Sequence, residues 1–190
     1  PLDQLALSIF FRHTSYRRSI RALRQLNRAF ADWNEVRVST LEEVVSNLSS
    51  SAWAWDSAGT ILDVLHELYA KQNQLALNDL LEDRTQTQAR EYLRELPGIE
   101  REMANEVLML SYQVPVFPCP DSIARLCHRA GLLEDPRPLA RHQRQLTKLF
   151  NAEYYAPLHR FLLTSAGKYC KEDEPECGDC GLDGVCEQVV

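Results

Sequence analysis

Glycine is scarce, seven in 190 residues, and no segment longer than a few residues alternates apolar with polar side chains. A half-buried strand needs that period-two pattern, so strand-built folds are excluded and helical periodicity must organise the chain. No apolar run approaches the roughly 20 residues that span a bilayer. The opening Pro1-Leu2-Asp3-Gln4 carries neither the basic stretch nor the apolar core of a secretory leader. The expectation is an intracellular chain, not secreted and with no membrane partner. A basic excess is also missing, since 27 acids outnumber 21 lysines and arginines and the net charge is −6. That balance argues against a protein that coats nucleic acid by bulk charge. Lysine is rare: only Lys71, Lys148, Lys168 and Lys171 occur.

What is present suffices for a core. The hydrophobic fraction is 45%, and 190 residues fit one large domain or two small ones. The fold class read from periodicity is all-α. Tyr16 to Phe30 sets Ile20, Leu23, Leu26 and Phe30 on one face and Arg17, Arg21, Arg24 and Arg28 on another. Those arginines can face phosphate, or form the solvated side of an amphipathic helix. Thr40-Leu41-Glu42-Glu43 reads as a capping box opening the next helix, and Asp56 or Ser57 as the cap of a helix through Ile61, Leu65 and Tyr69. Trp53 and Trp55 then fall between helices, free to pack or to stack on a base. Ala89 to Leu110 reads as helix, sharp turn, helix, with the turn at Leu96-Pro97-Gly98-Ile99-Glu100. The proline-rich stretch Val114 to Pro120 must be extended, and Asp121 follows as the N-cap of a helix over 122–130.

Four of the six cysteines crowd into the last 21 residues as Cys170, Cys177, Cys180 and Cys186, spaced C-x6-C-x2-C-x5-C. Thiols so clustered in an intracellular chain read as metal ligands rather than as a disulfide knot. Thiolate sets select zinc or an iron–sulfur cluster. Cys119 and Cys127 read as core thiols.

Three segments together are more specific than any alone: Leu96-Pro97-Gly98-Ile99-Glu100-Arg101-Glu102-Met103-Ala104-Asn105, Pro120-Asp121-Ser122 placed 23 residues after Gly98, and the cysteine run. With these the chain resembles the endonuclease III family of helix-hairpin-helix DNA glycosylases over nearly its whole length. The resemblance implies a two-domain helical fold, with a six-helix barrel over about 1–115 that contains the helix-hairpin-helix at about 89–110. It implies a [4Fe-4S] domain over 116–190 whose cluster loop, 170–186, ligates through the four cysteines, with zinc as the alternative. It further implies a damaged base flipped out of duplex DNA, because a stacked base cannot be reached. Asp121 then matches the catalytic aspartate. Leu96, Pro97, Gly98, Ile99 and Arg101 match the hairpin that receives a phosphate, and Arg12 with His13 stands near the residue wedged into the duplex. A monomer is expected.

The chain also departs from the pattern. Bifunctional members carry a lysine four residues beyond the hairpin glycine, where its amine forms a Schiff base that leads to strand cleavage; here Glu102 stands there, and glutamate cannot form an imine. Hydrolysis by an aspartate and a positioned water survives that loss, so the expected activity is that of a monofunctional N-glycosylase. Adenine-mismatch members use a first-helix glutamate whose nearest match here is Ser8, which disfavours that specificity. Glu100 replaces the second hairpin glycine, and the interval 171–176 holds four acids and one lysine where relatives are basic. The competing reading is a noncatalytic scaffold with weakened DNA binding that acts through a protein partner.

Overall fold

The structure is a computed structural model and describes residues 1–49, 51–137 and 140–188. Every regular element among them is helical, and the chain divides into two compact units, Pro1–Tyr112 and Gln113–Val190.

The first unit contains α1 (Leu2–His13), α2 (Tyr16–Ala29), α3 (Trp33–Val38), α4 (Leu41–Ser46), α5 (Ala52–Gln72), α6 (Gln86–Arg94) and α7 (Arg101–Tyr112). Helix α5 packs on α1, α3 and α4, while α1 also meets α2 and α7, and α6 lies against α7. Leu5, Ile9 and Phe10 of α1 and Ile61, Leu65 and Leu68 of α5 are buried, together with Leu93, Leu96 and Leu108. Each such side chain contributes about 1.5–3 kcal/mol on leaving water, so this apolar seam is the main source of the unit's cohesion. Helix starts are set locally. Thr40 with Glu43 and Thr85 with Gln88 form reciprocal capping boxes, and the Asp32 carboxylate accepts from the backbone N–H groups of Asn34 and Glu35.

The start of α5 differs from the sequence expectation. The helix opens at Ser51, so Asp56 and Ser57 lie inside it, and Trp53 and Trp55 are helical residues rather than parts of a connection. Ser57 is fully buried, a small side chain where α5 needs close packing. Trp53 packs edge-on against Phe10 at 6.3 Å, whereas Trp55 is exposed.

The second unit contains α8 (Asp121–Arg129), α9 (Ala140–Leu149), a short 3-10 turn at Ala152–Tyr154, α10 (Tyr155–Lys168) and another such turn at Cys177–Asp179. Its core is centred on the fully buried Phe117, which meets Phe150, Tyr155 and His159 edge-on at 4.9–5.7 Å. The Phe117 backbone N–H donates to the Thr147 hydroxyl, tying the extended proline segment to α9. Burial pushes the His159 imidazole down to about 3, so it packs as a neutral ring. Cys119 and Cys127 are fully buried; desolvation pushes the Cys127 thiol up to about 12, an inert core group.

Candidate nucleic-acid and metal sites

The hairpin between α6 and α7 is built from alternating anchors. Leu96 and Ile99 are buried, whereas Pro97 is half-buried and Gly98 and Glu100 are exposed. The Leu96 and Ile99 side chains therefore hold the turn, and only their backbone is left to meet a ligand. Gly98 sits at φ +70, and a Cβ there would come within 2.8 Å of the Thr60 methyl. Both the backbone conformation and the approach to α5 require glycine.

The two hairpin acids are not left bare. Glu100 pairs with Arg12 at 2.6 Å, and Glu102 with Arg101 at 2.8 Å. The Arg12–Glu100 pair is half exposed on both sides, so it neutralises the turn more than it stabilises the fold. His13 is exposed at the end of α1. Behind the turn, Asn105 is buried and its side-chain carbonyl accepts from Arg90 Nε at 2.8 Å, which locks α6 to α7.

A residue that periodicity does not single out lies one turn beyond Glu102. Glu106 is buried where α7 meets α1, hydrogen-bonded to the buried Ser8. Burial, reinforced by the Glu102 charge and opposed by the Ser8 hydrogen bond, pushes its carboxyl up to about 7. Its neighbours Met103 and Val107 carry the helical apolar signal, and a glutamate between them reads as surface.

In the second unit Asp121 is the first residue of α8 and exposed, and the residue flanking the helix is Pro120. The expected Asp121 cap is absent: Pro120 occupies the capping position, and among the described residues the Asp121 carboxylate makes no hydrogen bond. An acid in the first turn is favoured by the helix dipole alone, so Asp121 supports α8 while its oxygens stay available.

Cys170, Cys177, Cys180 and Cys186 line one cavity of about 150 Å³ together with Leu126, Arg129 and Tyr169. All four are free thiols. Among the described residues no three His, Cys, Asp or Glu side chains converge as ligands of a single ion. Four cysteine sulfurs lining one cavity are the type of donor set that zinc or an iron–sulfur cluster takes. Arg129 organises the loop around the cavity. Its guanidinium donates to Cys170 Sγ at 3.6 Å, to the Lys171 carbonyl and to the Glu172 carbonyl at 2.7 Å, and its own carbonyl accepts from Cys186 Sγ at 3.4 Å. Arg125 Nε donates to the Cys170 carbonyl at 3.1 Å. These two arginines are engaged with the loop. Glu172, Asp173 and Glu174 are exposed, and Glu176 pairs with Lys171.

No family model matches the chain. It is 29% identical over 95 residues to endonuclease III of Escherichia coli K12, covering 50% of this chain and 44% of that one. To endonuclease III of Thermotoga maritima it is 28% identical over 97 residues, 51% and 45% of the two chains. Among solved structures, a non-covalent endonuclease III–DNA complex superposes with a TM-score of 0.74 at 20% identity, covering 97% of this chain and 82% of that one. The chain is thus similar to endonuclease III, in sequence over half its length and in fold over nearly all of it. A thermostable thymine-DNA glycosylase also shares the fold, with a TM-score of 0.70 at 13% identity over 99% of this chain and 83% of that one. The matched segments span less than half the length of the curated endonuclease III relatives. No helix among the described residues of this endonuclease III-like chain is long and apolar enough to cross a membrane.

Proposed function

We propose that the chain is a monofunctional DNA N-glycosylase of the endonuclease III type, acting as a monomer inside the cell on duplex DNA that carries a damaged base. The observation that carries this reading is the hairpin turn, held by Leu96 and Ile99, with Gly98 in the left-handed conformation and its acids neutralised by Arg12 and Arg101. Such a turn at the start of a helix suits a backbone phosphate, while His13 and Arg12 border it. Asp121 supplies the carboxylate. It activates water or stabilises positive charge developing on the sugar once the base has been flipped out, and its unengaged oxygens suit either role. Glu102 has no amine to form an imine, so strand cleavage by β-elimination does not follow base release.

We assign a [4Fe-4S] cluster to Cys170, Cys177, Cys180 and Cys186. The four thiolates complete its coordination, so its contribution is to tie the C-terminal loop to α8 through Arg129, with no open position for substrate. Iron and sulfide stoichiometry near four each in anaerobically purified protein supports the assignment, and stoichiometric zinc in a colourless preparation refutes it.

A second reading is favoured by one observation: the exposed acids Glu172, Asp173 and Glu174 would face a phosphate backbone unfavourably. In that reading the fold is a noncatalytic scaffold that docks on a basic protein. Binding to a duplex containing an abasic-site analogue separates the two. The enzyme binds and weakens as salt rises, with Asp121→Asn retaining affinity, and the scaffold shows no binding at low salt.

A further inference from the structure

In a chain where acids outnumber bases, helix α2 (Tyr16–Ala29) contains five arginines and no acid. Ser19, Ala22 and Leu26 fill its core side. Arg17, Arg21, Arg24 and Arg28 recur at steps of four, three and four on the opposite side, and Arg18 flanks them; all five are exposed. None takes part in a hydrogen bond, ion pair or ring contact among the described residues. By contrast Arg12, Arg37, Arg84, Arg90, Arg94 and Arg101, in the same unit, each have a partner. A merely solvated face mixes both signs and places acids in the first turn, where the helix dipole favours them. Here the first turn holds Arg17 and Arg18 and no acid, and like charges repel at i,i+3 and i,i+4 along the whole helix. An arrangement that works against the helix itself fits a polyanion that relieves it.

We propose that the outer face of α2 is a contact surface for the phosphate backbone of duplex nucleic acid, distinct from the hairpin between α6 and α7. From Arg17 to Arg28 the row runs about 16 Å along the helix, long enough to meet several consecutive phosphates of one strand. Guanidinium groups bind phosphate oxygens in pairs, which suits a fixed row of arginines better than one of lysines. An anionic lipid surface is the poorer fit, because the apolar side of α2 is used in the core and leaves nothing to insert. The surface would supply sequence-independent affinity that the acidic segment at 172–174 does not. The inference rests on the duplex-binding reading above, but not on catalysis.

Fluorescence anisotropy with a short undamaged duplex, titrated between about 50 and about 200 mM salt, tests it on the full chain. Replacing Arg17, Arg21, Arg24 and Arg28 together by glutamine is expected to weaken binding at least tenfold at the low-salt end. The slope of log affinity against log salt should shrink by about two to three, given roughly 0.9 per phosphate contact. The fourfold lysine variant should keep most of the slope, and circular dichroism should show both variants folded. If wild type binds with a steep salt dependence and the glutamine variant is indistinguishable from it, the α2 assignment is overturned while duplex binding stands. If wild type binds through α2 but releases no base from any lesion, the catalytic reading fails and this one holds. Capture of phosphatidylserine vesicles or polyglutamate instead of duplex, lost in the glutamine variant, overturns the nucleic-acid assignment.

Discussion

Glu106 is a buried carboxyl whose environment couples stability to pH. Its carboxyl is buried and pushed up to about 7, above its ordinary 4.5, so the folded state holds a proton that the unfolded state releases. Its contribution is therefore most favourable at or below about pH 4.5 and is lost as pH rises through about 7. The full loss is on the order of 3 kcal/mol, since each tenfold change in proton affinity corresponds to about 1.4 kcal/mol. Glu106→Gln should flatten the fall in melting temperature between pH 5 and 7.5 and leave the variant more stable than wild type at the upper end. Parallel pH profiles for the two proteins would contradict the assignment. Gly98 is the complementary case, because both its conformation and its purpose are visible in the Leu-Pro-Gly motif. Gly98→Ala should cost about 1–3 kcal/mol in chemical denaturation, from the left-handed backbone and the Thr60 contact together. Gly98 is legible because a chain reversal between helices needs a residue without Cβ. Glu106 is not, because its burial comes from α1, which lies far away in sequence.

Helices are legible wherever their start has its own chemistry. Thr40 and Glu43 form the capping box that their spacing announces, and the turn from α6 to α7 falls where proline and glycine place it. The different start of α5 has a physical source. Ser51 makes no side-chain cap bond, and Ser57, a good capping residue by type, sits inside the helix where tertiary packing decides, with Asp56 exposed beside it. Asp121 misleads in the same way, since an acid before a helical run looks like a cap whether or not its side chain turns inward. Thr85→Ala, which removes a cap bond at the entry to the hairpin, should lower stability by about 1 kcal/mol without changing the helical content. At the cysteine loop, spacing groups the four thiols but does not show the arginine that contacts them. Arg129 contacts Cys170, two loop carbonyls and Cys186, so under the proposed cluster assignment Arg129→Met should lose its visible absorption to a chelator several-fold faster than wild type. Equal rates of bleaching would show that the guanidinium does not hold the loop.

Across the whole molecule, charge is distributed against the overall balance. A net charge of −6 coexists with an all-arginine face on α2 and a hairpin whose acids are each matched by an arginine. The formal count alone argues against a nucleic-acid partner, because it cannot show which carboxylates are paired. The all-α class and the endonuclease III-like fold are accessible from three short motifs, since each marks a backbone event that few folds share. The proposed chemistry rests on two side chains, Asp121 with its exposed carboxylate and Glu102 in place of an amine. The most direct test is a single-turnover assay on a panel of lesion-bearing duplexes, resolved on denaturing gels with and without alkali. Strand breaks that appear only after alkali with wild type, and not at all with Asp121→Asn, are the expected result. Breaks without alkali, turnover by Asp121→Asn, or no alkali-labile site on any lesion would contradict the account.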